Sequence, residues 1–229
     1  MSSELPALDL EQARHNMVEQ QIRPWEVLDQ SVLDLLLAVR REQFAPPAYR
    51  LLAFADMEIP LKIDGVDSGE CMLAPKVEAR LLQELGLRAH ELVLEVGTGS
   101  GYMAALAAHK ALHVLTVEID PILAGFGAAN LRRNGVHNAQ VVVGDGARGW
   151  PAKAPYDAII VSGGLPMLPP ELPAQLKVGG RMAVIVGQAP AMSAQIVTRV
   201  TETAYETLKL FETVVKPLRN ALRPSAFRF

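Results

Sequence analysis

Stretches with a helical repeat of apolar residues fill the first third of this chain, and short apolar runs dominate the rest. Residues 9–22 and 29–39 carry helical periodicity, the second setting Val32, Leu35, Leu36 and Val39 on one face. Arg23-Pro24-Trp25 breaks them apart. Pro46-Pro47 opens a stretch, irregular to about Leu73, that contains the turn pairs Asp64-Gly65 and Ser68-Gly69. Pro75 then opens a helix through Leu85, with Val77, Leu81, Leu82 and Leu85 inward and Gly86 as its stop. From there strands at 92–96, 113–118, 139–143, 157–162 and 181–186 are expected, with helices between the earlier ones. Two further β-rich runs follow at 195–200 and 208–215. Alternating strands and helices predict an α/β fold: a mostly parallel twisted sheet with helices on both faces and an N-terminal helical cap.

The apolar run 91–96 leads straight into Gly97-Thr98-Gly99-Ser100-Gly101, and an Ala-, Met- and Leu-rich helix follows from Tyr102. A strand, a glycine-rich turn and a helix together offer backbone N–H groups and a helix N-terminus to a ligand. A dinucleotide fingerprint needs a third glycine five residues after the first, where this chain has Tyr102. Instead Gly97, Gly99 and Gly101 alternate, with acidic Glu95 two residues ahead. This pattern resembles the cofactor loop of S-adenosylmethionine-dependent methyltransferases and implies that cofactor. Glycines would let the backbone approach its methionine part, and a carboxylate suits its cationic groups.

Two more acids fall in register. The second strand ends at Glu118, expected at an exposed strand end, 21 positions after Gly97. In nucleotide-binding α/β folds an acid about 20 residues on accepts hydrogen bonds from ribose hydroxyls. Ile119 follows it, and Asp120 suits the cap of a helix opening at Pro121. The third strand runs into Gly144-Asp145-Gly146, a turn that presents Asp145 to an adenine amino group or is a plain Asp-Gly turn. The expected cofactor residues are thus Glu95, Gly97, Thr98, Gly99, Gly101, Glu118, Ile119, Asp145 and Gly146.

Composition bounds the remainder. With 229 residues, 50% of them hydrophobic, the chain suits one domain, 1–75 forming the cap and substrate side and 76–229 the cofactor-binding core. The net charge of −3, without a block of like charges, points away from nucleic acid and anionic membrane surfaces. A single cysteine, Cys71, excludes an internal disulfide framework and a cysteine-based zinc site, and no metal is expected. The absence of an 18-residue apolar run and the polar N-terminus predict a cytoplasmic protein.

A family resemblance then becomes specific. The segment Ala38 to Phe44, the glycine loop, Gly144-Asp145-Gly146, the strand from Tyr156 to Val161, the run from Gln175 to Arg181, Gly187 and Pro217-Leu218 together resemble protein-L-isoaspartate O-methyltransferases. The likeness spans about 17–218. It implies methyl transfer from S-adenosylmethionine to a carboxylate of damaged protein. The substrate side departs from the family. Its Gly-Gln-Thr-Ile-Ser-Gln-Pro segment is here Gly69-Glu70-Cys71-Met72-Leu73-Ala74-Pro75. The serine, which in the family lies where the substrate carboxylate meets the methyl group, is Leu73. Leucine donates no hydrogen bond, and a partly buried carboxylate lacking that partner loses about 1–3 kcal/mol. The family's proline in the fifth strand is Ile185, and its Thr-Ala-Ala after the fourth is Ser162-Gly163-Gly164. Cys71, Met72, Leu73 and Ser162 are therefore the substrate-side candidates.

These departures predict weak or absent isoaspartyl methylation. They leave two rivals, a small-molecule acceptor on the same scaffold and a non-catalytic cofactor-binding protein. A carboxylate acceptor is ionised at neutral pH, its pKa being near 4, so no general base is required, and positioning is the chief device. The five histidines, His15, His90, His109, His113 and His137, fall at element ends or on a polar helix and supply no obvious base. Cys71 reads as a small apolar residue, Met103 as helix packing, Trp25 as an anchor for the first helices and Trp150 as packing beneath the fourth strand.

Overall fold

The computed structural model describes residues 9–224. Residues 1–8, part of the expected cap and of the polar N-terminus, lie outside the described residues. Helix α1 (Leu10–Met17) starts at Asp9, whose side chain accepts from the N–H groups of Glu11 and Gln12. That arrangement satisfies orphan donors of the first turn. The expected helix 9–22 is not one α-helix: its last part is a π-helical turn, Val18–Ile22, and a 3-10 turn, Arg23–Trp25, follows. Helix α2 (Gln30–Ala38), capped by Asp29, buries Val32, Leu35 and Leu36 as its periodicity implied.

The stretch 46–73 is structured, which corrects the irregular reading. A 3-10 helix (Pro47–Phe54) leads into an antiparallel hairpin of β1 (Ile59–Ile63) and β2 (Val66–Met72). Asp64 and Gly65, both at positive φ, make its two-residue turn, the geometry that suits strand twist. Polar Asp67, Ser68 and Glu70 hid β2, because a hairpin outside the main sheet buries little of that strand. Helix α3 (Pro75–Leu85) follows, with Val77, Leu81, Leu82 and Leu85 inward and Gly86 in the left-handed region as its stop.

Seven strands form the main sheet: β3 (Leu92–Val96), β4 (His113–Glu118), β5 (Ala139–Val143), β6 (Tyr156–Leu165), β7 (Leu176–Gln188), β8 (Ala191–Arg199) and β9 (Tyr205–Glu212). Their spatial order is β5-β4-β3-β6-β7-β8-β9. The first five are parallel, and β8 and β9 add an antiparallel edge. The expected strands are all present, but β6 and β7 run longer than read, and the last two β-rich runs begin earlier. Helices α4 (Tyr102–Lys110) and α5 (Pro121–Arg133) follow β3 and β4, and a short α6 (Glu171–Ala174) follows β6.

Alternate strand residues feed two cores. Val93, Val114, Ala158 and Ile160 join residues of α1 to α5 in one, so the N-terminal helices share a core with the sheet. Leu94, Leu115, Ile159 and Val161 face the other, covered more thinly by α6, Trp150 and Leu218. The strand order reverses between β3 and β6, each C-terminal end opening into a loop. Open α/β sheets bind ligands at such a switch point.

Candidate functional site

One pocket opens there, with about 870 Å³ of empty space including its mouth, a size typical of small-molecule sites. Its donor wall is the glycine loop. Gly97 and Gly99 have φ of 93° and 49°, a region costly for residues bearing a Cβ. A Cβ on Gly99 would come within 3.2 Å of Leu61 Cδ1 in the hairpin. Glu95, Gly97, Thr98, Gly99, Glu118, Ile119, Asp145 and Gly146 all line this pocket. Gly101 does not. It sits behind the loop as the N-cap of α4, where a Cβ would lie 3.0 Å from Gly127 O in α5, so its smallness serves helix packing.

Glu118 is buried, not at an exposed strand end, because the loop folds back over it. Its Oε2 accepts from Gly99 N at 2.9 Å and its Oε1 from Asp120 N at 3.1 Å. Each carboxylate oxygen keeps a second lone pair. Asp120 caps α5 through Oδ1, as its position implied. Asp145 accepts from Ala147 N through Oδ1 and from Asn220 Nδ2 through Oδ2, at 3.0 and 2.9 Å.

Glu95 is the polar hub of the floor. It is fully buried, accepting from Thr116 Oγ1 at 2.7 Å and Ser162 Oγ at 2.9 Å. Thr116 also shares a 2.6 Å hydrogen bond with Thr98 Oγ1. The carboxylate thus ties β3, β4, β6 and the glycine loop together. Burial pushes its pKa up to about 8 despite the two hydroxyl donors. Ser162, expected on the substrate side, lines the pocket but spends its hydroxyl on this hub.

The acceptor wall comes from the end of β2 and the start of α3. Cys71, Met72 and Leu73 line it together with Glu78. Arg41, wholly buried, bridges the two elements by an ion pair to Glu78 and a 2.7 Å hydrogen bond to Leu73 O. Burial pushes Glu78 up to about 7 while the Arg41 guanidinium pulls it down. Burial and nearby Glu58 raise the Cys71 thiol to about 12, leaving almost no thiolate at neutral pH, in accord with an unreactive cysteine. Met103 packs within the core and also reaches the pocket wall. Trp25 lies away from the pocket, edge-on to Phe211 of β9 with Lys76 of α3 over its ring. None of the five histidines lines the pocket.

Sequence reasoning missed four lining or supporting groups: Thr116, Glu78, Lys216 and Arg219. Glu78 left a signal, a charge four residues before Leu82 on the apolar face of α3. Lys216 and Arg219 lie on the tail, which pairs with β6 where Gly164 meets Pro217.

A protein-family model matches residues 12–219, that of protein-L-isoaspartate(D-aspartate) O-methyltransferase (PCMT). The chain belongs to the PCMT family. Similar curated relatives carry the same activity in their names. Protein-L-isoaspartate O-methyltransferase 1 of Rhodopseudomonas palustris is 42% identical over 196 residues, 86% of this chain and 77% of the relative. Protein-L-isoaspartate O-methyltransferase 2 of Marinobacter nauticus is 36% identical over 92% of this chain and 94% of its own length. A solved protein-L-isoaspartate O-methyltransferase superposes with a TM-score of 0.75 at 26% identity, covering 92% of this chain and 67% of the other. A Plasmodium falciparum chain solved with S-adenosyl-L-homocysteine gives 0.77 at 18% identity, covering 93% and 99%, and shows the shared fold. PCMT enzymes are S-adenosylmethionine-dependent O-methyltransferases, and the pocket fits that cofactor: its donor wall is open-backboned glycine, with the carboxylates of Glu118 and Asp145 beside it. Among the described residues no cluster of metal-ligating side chains occurs, and no helix is long and apolar enough to cross a membrane.

Proposed function

We propose that this chain methylates a side-chain carboxylate of damaged protein, the isoaspartyl group named in its relatives, and does so in the cytoplasm. The observation that carries the reading is one continuous pocket walled at one end by the glycine loop, Glu118 and Asp145, and at the other by Cys71 to Leu73. Bound S-adenosylmethionine would supply a methyl group on a cationic sulfur: transfer to an ionised carboxylate would form the O–CH3 bond, break S–CH3 and leave neutral S-adenosylhomocysteine, with no proton to remove. The protein's part is to bind and align. Glu118 holds ribose hydroxyls through its remaining lone pairs, Asp145 receives the adenine amino group, and the backbone of Gly97 to Gly99 meets the methionine part. Glu95 fixes the strand ends that carry these groups.

Leu73 takes the place of the hydroxyl that the family resemblance puts beside the reacting carboxylate, so turnover is expected below that of a relative with serine there. Family membership favours an enzyme over a non-catalytic binder. The deciding assay is transfer of label from S-adenosylmethionine to an isoaspartyl peptide, with its aspartyl counterpart as control. Incorporation that depends on the isoaspartyl linkage supports the reading; equal or no incorporation into both peptides overturns it.

A further inference from the structure

An anionic acceptor entering this pocket meets few cations. Among the described residues Lys216 and Arg219 line it beside Glu70, Glu118 and Asp145; Glu78 and Glu95 line it too, but burial favours the neutral acid at both. Of the lining hydroxyls, Ser162 is committed to Glu95 and Thr98 to Thr116, while Ser100 accepts from Tyr102 N at 3.3 Å. Arg219 is tied down on all three nitrogens, to Glu70 Oε1 at 2.8 Å, Asp120 Oδ2 at 3.1 Å and Ser68 O at 3.0 Å. Lys216 is less committed. Its ammonium meets Gly69 O and Glu70 Oε1, the latter at 3.0 Å, and an ammonium has three N–H donors.

The backbone holds Lys216 in place. Gly164 N donates to Lys216 O, and Leu218 N to Gly164 O, both at 2.9 Å. This close passage needs the glycines after Ser162. A Cβ on Gly163 would stand 2.6 Å from Leu218 Cδ2, and one on Gly164 would stand 3.3 Å from Lys216 O. The family resemblance puts alanines in that loop and glutamine at the position of Glu70. The glycines that admit the tail and the carboxylate that meets its lysine thus both depart from the pattern the resemblance gives.

We propose that Lys216 is the acceptor-binding cation of this methyltransferase: its ammonium receives the substrate carboxylate at the Cys71–Leu73 end of the pocket, and Glu70, which holds that ammonium, competes with the substrate for it. The proposal rests on the carboxylate reading of the acceptor. A purely structural role for the pair, pinning the tail to the hairpin, makes a different forecast. Deleting either partner would then loosen the same contact, and both deletions would shift acceptor binding in the same direction.

The test is calorimetric titration of an isoaspartyl peptide, and of its neutral amide analogue, into the full chain saturated with S-adenosylhomocysteine. Lys216→Met should weaken binding of the acidic peptide roughly tenfold or more. Lys216→Arg should recover most of it, and Glu70→Gln should tighten it. Binding of the amide analogue and of S-adenosylhomocysteine should not respond to Lys216→Met. Unchanged peptide affinity in Lys216→Met, or both variants shifting it the same way, would overturn the proposal. Peptide binding that follows these variants without methyl transfer would sink the proposed reaction and leave Lys216 standing. Methyl transfer indifferent to them would do the reverse.

Discussion

Replacing Glu118 by alanine should strike the cofactor site twice. The carboxylate accepts from Gly99 N at 2.9 Å and Asp120 N at 3.1 Å, while its free lone pairs face the pocket. Losing a charge-assisted pair of hydrogen bonds to ribose costs about 1.5–3 kcal/mol, or roughly 12- to 150-fold in Kd. The same change strips Gly99 N–H of its acceptor, and a part-buried donor left unmade costs about 1–3 kcal/mol. For a domain of this size that lowers Tm by about 2–4 °C per kcal/mol. Glu118→Gln should fall between, since its amide offers an oxygen to only one of the two N–H groups. Titration with S-adenosylhomocysteine and thermal unfolding read the two effects apart. A lowered Tm with unchanged Kd would show that Glu118 is a loop brace and not a ribose ligand, and the reasoning from the strand end would fail.

Three further outcomes are expected. Gly127→Ala in α5 would place a Cβ 2.7 Å from Thr98 Cγ2; overpacking of about 1–3 kcal/mol should exceed the gain in helix propensity, about 1 kcal/mol. Tm and cofactor affinity should then both drop, and an unchanged pair would mean the loop yields freely. Glu78→Ala leaves the buried Arg41 without its counter-ion, at about 3–5 kcal/mol, measured by urea unfolding; the double change Glu78→Leu with Arg41→Met should recover much of that loss. Glu95 is raised from 4.5 to about 8 by burial, so its stabilising protonated form is fully present below the unfolded value and lost as pH rises through 8. Wild-type stability relative to Glu95→Gln should therefore decline between about pH 4.5 and 8, and a flat difference would refute the shift.

The donor half of the site was legible because it is local. Glu95 to Gly101, Glu118 and Asp145 each sit at a strand end, and parallel strands in register bring their ends together without further information. Gly101 is instructive: its spacing matched the loop, yet its neighbour is Gly127 of α5, a contact no local pattern encodes. Burial of Glu118 was missed for the same reason, since the loop that covers it begins 21 positions earlier. The hairpin of β1 and β2 stayed hidden because polar residues suit a strand outside the main sheet. Arg41 and Glu78, 37 positions apart in the chain, announce themselves only as charges on apolar faces.

The acceptor half shows why a missing hydroxyl need not leave the segment adrift. Arg41 fixes Leu73 through its carbonyl at 2.7 Å, so the backbone stays in place whatever side chain stands at that position. What changes is the kind of recognition. A buried hydroxyl acts at short range and is little affected by ions in solution. An ammonium such as Lys216, whose side chain is 46% exposed, attracts over a longer distance but is screened, with a Debye length of about 10 Å at 0.1 M salt. Acceptor affinity that rests on Lys216 should therefore fall as ionic strength rises, and fall less in Lys216→Met, whereas ribose binding at the buried Glu118 should hardly respond. Equal salt dependence in wild type and Lys216→Met would place acceptor recognition in short-range contacts at Cys71 to Leu73 instead.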